Sequence, residues 1–397
     1  MVKRRALWAL LAATVLLMSS CSISTSNALT AEATHIISHT STTTPAKSAK
    51  PGASASAKES AEPVITSPTT GLPVDSDTYR PIIVQIENEP PARPQAGLQW
   101  ADVVYETLIE ADATRFTCLF NDILYADNSP ETLEVGPVRS SRYYHQWIQG
   151  QWDALYVHMG GAETPGRESY IWGESGEHIQ QRINAAGKYP SNAELEYRRK
   201  NTGKALEHTA YTELHADEEI INYQPVQYQT FNFSEENAYE DLPLIESIAL
   251  SFWGPDDFVE YVYDPEKNKL IRYMGGKEFL AEETGQAVEV QNLVVQYTDV
   301  SEFPGEGGRK KVEMFGTGKA DFIINGRHIT GTWERQNGAH TPTVYRDDQG
   351  EEILFTPGNT WIAVHPNNKE VTVVEAVESS AAAASAAARS TASVERG

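Results

Sequence analysis

Arg80–Gly97 reads RPIIVQIENEPPARPQAG, and Ala101–Asn121 follows as ADVVYETLIEADATRFTCLFN. Pro81–Glu87 is apolar and rich in β-branched residues, which predicts a buried strand, and the prolines after it predict a rigid loop. The second stretch reads as a hairpin. In its first arm Val104, Glu106, Leu108 and Glu110 share one face, while Val103, Tyr105, Thr107 and Ile109 share the other, as a period of two requires. Ala111-Asp112-Ala113 turns the chain, and the returning arm from Thr114 to Phe120 is expected to bring Arg115 near Glu110 or Glu106. Cys118 alternates with Phe116 and Phe120 there, the pattern of a buried, inert thiol. GPVRSSRYYHQWIQ from Gly136 predicts a loop entering a helix, and ALYVHMGGA from Ala154 predicts a strand that ends in paired glycines. Strand, hairpin, helix, strand is the order of an α/β domain with a mixed sheet, whose ligand groups gather where strands stop.

Working outward, the helix start carries the first candidate chemistry. Ser140 or Ser141 is the expected cap, which places Arg139 and Arg142 around the first turn. Cations there oppose the helix dipole, unless an anion sits among the guanidinium groups and the free backbone N–H groups. The alternative is that both arginines pair with Glu87, Glu106 or Glu134, and the sequence leaves the two readings open. If they hold a ligand, replacing Arg142 leaves the stability of the free protein within about 1 kcal/mol. His158, at the end of its strand, is placed to project into a crevice or to be a satisfied core histidine. Ile179–Arg199 is polar and expected to be helical in parts, and His208 in KALEHTAYTEL is expected just before a helix.

The flanks divide the rest. Residues 1–21 have a basic start, an apolar run and Ser19-Ser20 before Cys21, the pattern of a lipoprotein signal in which Cys21 is acylated. Residues 22–75 are rich in Ser, Thr, Ala and Pro with no Phe, Trp or Tyr, and read as a disordered tether holding the globular part on the order of 40 Å from a membrane. The α/β domain is expected over residues 76–245. From 246 to 368 the pattern changes to short strands and turns, a smaller, mostly-β domain; Phe258–Tyr263 and Leu270–Tyr273 form one expected hairpin and Asn325-Gly326 turns another. Residues 369–397 are rich in Ala and Ser and read as a disordered tail.

A net charge of −23 in 397 residues excludes nucleic acid and an anionic membrane surface as main partners. A local basic cluster can still hold a small anion. No serine elbow is present, since GESGE at Gly173 has the wrong spacing, and neither a zinc helix nor a P-loop occurs. No metal centre is indicated, no cofactor can be named, and an enzymatic role stays undecided.

RPIIVQIENEPPARPQAGL, ADVVYETLIEADATRF, GPVRSSRYY and DALYVHMGG, in that order, resemble the YerB-like bacterial lipoproteins, whose N- and C-terminal halves are both domains of unknown function. NLVVQYTDV and the stretch from Gly331 to Val364 are similar to the family's C-terminal half. The resemblance spans about Tyr79 to Pro366 and implies a lipid-anchored, extracytoplasmic protein, without implying an activity. Glu87, Asn88, Arg93, Glu106, Glu110, Arg115, Arg139, Arg142, His158 and His208 fall in or beside positions that match the family pattern. Two departures occur: the family usually has Asp-Asn where this chain has Glu87-Asn88, and Pro-His-Asn where it has Glu207-His208-Thr209. The expected role is binding of an anionic small or oligomeric envelope ligand by these ten residues. The alternatives are an envelope hydrolase or transferase, using Glu106 or Glu110 as acid or base with His158 assisting, and a protein-interaction scaffold.

Overall fold

The computed structural model describes residues 64–161, 182–184, 196–200, 202–215, 224–225, 228–252 and 258–377, all within one compact unit. Cys21, the rest of the expected lipoprotein signal and most of the expected tether lie outside these residues, as does most of 179–199.

Pro81–Glu87 forms the expected strand, β1 (Ile82–Glu87), and the hairpin arms form β2 (Val103–Leu108) and β3 (Thr114–Phe120). Helix α1 spans Tyr143–Trp152, β4 Leu155–His158 and β5 Arg182–Asn184. The later strands are β6 (Ile245–Leu250), β7 (Val259–Asp264), β8 (Lys269–Met274), β9 (Asn292–Thr298), β10 (Gly316–Ile324), β11 (Arg327–Arg335), β12 (Val344–Asp347), β13 (Thr360–Pro366) and β14 (Val371–Glu375). Both hairpins expected in this half form: β7 pairs with β8 from Asp264↔Lys269, and β10 with β11 from Ile324↔Arg327. Asn325 (φ 49°) and Gly326 (φ 68°) make that second turn, the two positive φ values that a tight hairpin requires.

A ten-stranded mixed sheet dominates, in the order β12-β11-β10-β9-β13-β2-β3-β1-β4-β5. Its centre joins the two halves: β13, buried along its whole length, runs parallel to β9 on one side and to β2 on the other. A second sheet, containing β8, β7, β6 and β14 in that order, packs on one face of the first through Val84, Ile86, Phe116, Cys118, Leu293 and Trp361. Helix α1 covers the other face through Tyr144, Ile148 and Trp152 against Ile83, Tyr105, Tyr156 and Ile362. Cys118 is a buried free thiol in the first of these layers.

The protein is therefore mostly β, with a large mixed sheet, and only part of the α/β expectation stands: α1 is the single long helix among the described residues of its half. Four local expectations need correction. The helix starts at Tyr143 with Arg142 as its cap residue, because Ser141 is held in extended backbone by its N–H bond to the Gly160 carbonyl, 3.0 Å away. After His208 the chain enters a strand, Ala210–Glu213, that pairs with Glu196–Arg198 and Glu134–Val135. Within the expected tether, Thr69 is fully buried and Thr66 bridges Pro73. Within the expected tail, β14 adds an antiparallel strand to β6.

Candidate functional site

The strand directions bring the candidate residues to one edge of the large sheet. β1 and β4 are parallel, and β1 and β2 both run antiparallel to β3, so β1, β2 and β4 all stop at the edge where β3 begins. Alternation then divides the candidates between the two faces. Val84 and Ile86 face the second sheet, so Gln85 and Glu87 face α1; in β3, Phe116 faces the second sheet and Arg115 faces α1.

On the α1 face, Glu87 is fully buried and takes two partners: the Arg139 Nε lies 3.1 Å from one carboxylate oxygen and the His208 Nδ1 2.9 Å from the other. Burial pushes the Glu87 carboxyl above its ordinary value, and His208 and Arg139 offset part of that rise. Arg142 grips Glu110 through Nε (2.8 Å) and Nη2 (2.5 Å), a two-pronged pair whose side chains are 14% and 23% exposed. Burial alone would raise the Glu110 carboxyl, but the hydrogen bonds and charge of Arg142 outweigh it and hold the group below its ordinary value. Arg139 and Arg142 thus both have carboxylate partners, while Glu134 goes to Arg199, which also meets Glu282 and stacks on Tyr211 at 3.8 Å.

Arg115 differs from its neighbours. It is 2% exposed, its Nη1 donates to the Ser140 carbonyl at 2.6 Å, and its Nε is buried without a partner. Glu87 stands opposite it in the β1–β3 register, yet no carboxylate comes within ion-pair distance of it among the described residues. Burial, then the charges of Arg142 and Arg139, push the guanidinium down to about 9. The expected neighbours Glu106 and Glu110 are not its partners. Glu106 points to the opposite face, and Glu110 is occupied by Arg142.

The start of α1 is closed by a histidine rather than a serine. The Arg142 backbone N–H donates to His145 Nδ1 at 3.0 Å, so Nε2 carries the proton and donates to Thr107 Oγ1 at 2.9 Å. Burial, then Arg115, Arg142 and His158, drive His145 well below its ordinary value, and it stays neutral. Ser141 instead receives the Tyr156 hydroxyl at 2.7 Å. His158 lies over Tyr156, ring centroids 4.8 Å apart, and its Nδ1 is 2.8 Å from the Gly160 carbonyl. One turn into α1, Gln146 is fully buried and neither polar atom of its side chain is hydrogen-bonded.

The remaining candidates face the second sheet. The Asn88 amide donates to Glu106 (3.3 Å) and Thr114 (2.8 Å), and Asn88 in turn accepts from Arg93 and Gln95. Glu106, 1% exposed, is 3.1 Å from the Nη2 of fully buried Arg272 on β8. That guanidinium is ringed by Phe279, Trp361, Phe116 and Tyr261 at 4.6, 4.9, 5.4 and 5.5 Å. Sequence reading missed Arg272, whose only signal is an arginine at an inward position of an alternating strand. Glu106 therefore pins the two sheets together.

These features define a class: a mostly-β protein in which two halves of the chain share one mixed sheet, with a cationic polar cluster at one end of it. The family model described as the N-terminal domain of a protein of unknown function (DUF3048) matches residues 69–227, and its C-terminal counterpart matches residues 248–362. The chain belongs to this family, the YerB-like proteins. It is 27% identical over 311 residues to "Putative lipoprotein YerB" of Bacillus subtilis (strain 168), a match covering 76% of this chain and 87% of that one. A crystal structure of YerB protein from Bacillus subtilis, 26% identical, superposes with a TM-score of 0.62 over 78% of this chain and 99% of that one.

Proposed function

We propose that this is an extracytoplasmic protein, anchored by lipid on Cys21, that binds an anionic envelope ligand at the α1 edge of the large sheet. The observation that carries the reading is a charge surplus. Three guanidinium groups, Arg115, Arg139 and Arg142, share this edge with two carboxylates, Glu87 and Glu110. A buried cation without a carboxylate partner costs stability unless something compensates it, and Arg115 has one carbonyl. Gln146 adds a buried amide with unused capacity on the adjacent helix. Arg139 is 24% exposed and Arg142 14%, which makes them the rim of the site and Arg115 its floor. A carboxylate or phosphate group suits guanidinium groups, which donate two parallel N–H hydrogen bonds to a pair of its oxygens. The name of the relative as a lipoprotein supports the anchor; among the described residues no helix is long and apolar enough to cross a membrane. Calorimetric titration with cell-wall fragments bearing carboxylate or phosphate tests the proposal. Binding that Arg115→Met weakens at least tenfold is expected, and absence of heat from every anionic fragment would refute it.

A further inference from the structure

A cleft lies at the other end of the sheet. It has a volume of about 690 Å³ and opens between the N-terminal segment around Thr70–Thr78, the turn that carries Trp100, and the loops around Gln286 and Asn359. That volume is in the range of small-molecule sites, and none of the ten candidate residues lines it.

Its charged groups are already used. Asp122 accepts from Ser67, Thr69, Thr70 and Asn121, Asp75 accepts the Asp127 N–H, and Lys267 and Lys269 hold Glu289. Lys269 is the one cationic residue in the lining, so the cleft offers an anion no unpaired cation and a metal ion no free carboxylate cluster. What remains is neutral hydrogen-bonding capacity beside an aromatic ring. Gln99, Asn128 and Gln286 line the cleft with side-chain amides that make no protein hydrogen bond among the described residues, and the ring of Trp100 is partly exposed next to them. Asp102, 4% exposed, also lines it. Its Oδ2 accepts from Thr69 Oγ1 (2.8 Å) and from the N–H groups of Asn121 (2.9 Å) and Asp122 (3.1 Å), which leaves Oδ1 without a protein partner. Burial, then the charge of Asp122, raise the Asp102 carboxyl well above its ordinary value, and its second oxygen stays open to the cleft's ligand.

We propose that this cleft binds a neutral, hydroxyl- and amide-bearing saccharide, with a sugar face on the Trp100 ring and hydroxyl groups on Gln99, Gln286 and the free oxygen of Asp102. The apolar C–H groups of a sugar face pack over an aromatic ring with a large contact area, while side-chain amides both donate and accept, which is what vicinal hydroxyl groups need. Charged ligands gain nothing here. The site is separate from the Arg115 cluster, so each can fail alone.

The test is ligand-observed saturation-transfer NMR and titration of the full chain with the neutral trisaccharide of N-acetylglucosamine. Saturable binding is expected, weakened at least tenfold by Trp100→Ala and by Gln99→Ala/Gln286→Ala. The double variant removes no protein hydrogen bond and keeps the test valid if the tryptophan change unfolds the protein. Arg115→Met should leave this binding unchanged. No saturation transfer at millimolar saccharide, or transfer that survives the double variant, would overturn the proposal.

Discussion

Arg272→Met is the perturbation that most sharply probes how the two halves are joined. In the native protein the Arg272 guanidinium and the Glu106 carboxylate are 0% and 1% exposed and 3.1 Å apart. Removing the cation leaves Glu106 buried with only the Asn88 amide and the Thr114 hydroxyl, both on its Oε1. Three effects compete. Methionine fills most of the space, so the cavity term is small. Losing the cation's attraction to four ring faces costs about 1–2 kcal/mol. Stranding a buried carboxylate costs about 3–5 kcal/mol and dominates. Glu106→Gln strands the cation instead and should cost a similar amount. In the double variant neither charge is left alone, so the two costs should fall short of additivity by about 2–3 kcal/mol. Guanidinium unfolding of the four proteins, followed by tryptophan fluorescence and by circular dichroism, gives the numbers. Both probes should show one shared transition, because β13 of the C-terminal half lies between β9 and β2. Single-variant costs below about 1 kcal/mol, or strictly additive costs, would refute the pinning role.

Arg142→Ala should cost about 1–3 kcal/mol by releasing Glu110 from a two-pronged pair, where the ligand-holding reading of the sequence expects less than about 1 kcal/mol. The pH dependence has a definite sign: with its folded value held below the ordinary 4.5, Glu110 contributes stability that is present above pH 4.5 and lost as pH falls through the lower folded value. Acid unfolding of Glu110→Gln should therefore be flatter than wild type below pH 4.5, and a parallel curve would count against the pair. Deleting residues from Asn368 onward removes β14 from its pairing with β6 and should lower the denaturation midpoint measurably, an outcome that a disordered tail would not give.

Local pattern was legible wherever neighbours in sequence are neighbours in space. The alternation in Val103–Leu108 told correctly which residues share a face, and Asn325-Gly326 announced its hairpin. Partners distant in sequence were not legible. Arg272 reaches Glu106 across 166 positions, and the parallel pairing of β2 with β13 joins segments from opposite ends of the globular chain; no local spacing encodes either. The helix start was misplaced because Ser140-Ser141 looks like a cap, while the backbone there is committed to Gly160 and His145 supplies the cap. The ten candidates did reach one end of the sheet, but the pleat sorted them onto two faces, so that Asn88, Arg93 and Glu106 serve the joint between sheets and Arg115 is left as the cation without a carboxylate.

The most direct measurement is thermal unfolding of wild type and Arg115→Met, each with and without an anionic wall fragment. Because Arg115 is a buried cation with one carbonyl partner, its removal should leave the free protein's melting temperature unchanged or higher. The fragment should then raise the melting temperature of wild type and not of the variant. A free variant that melts well below wild type, together with an unchanged response to the fragment, would contradict the account and make Arg115 a structural residue.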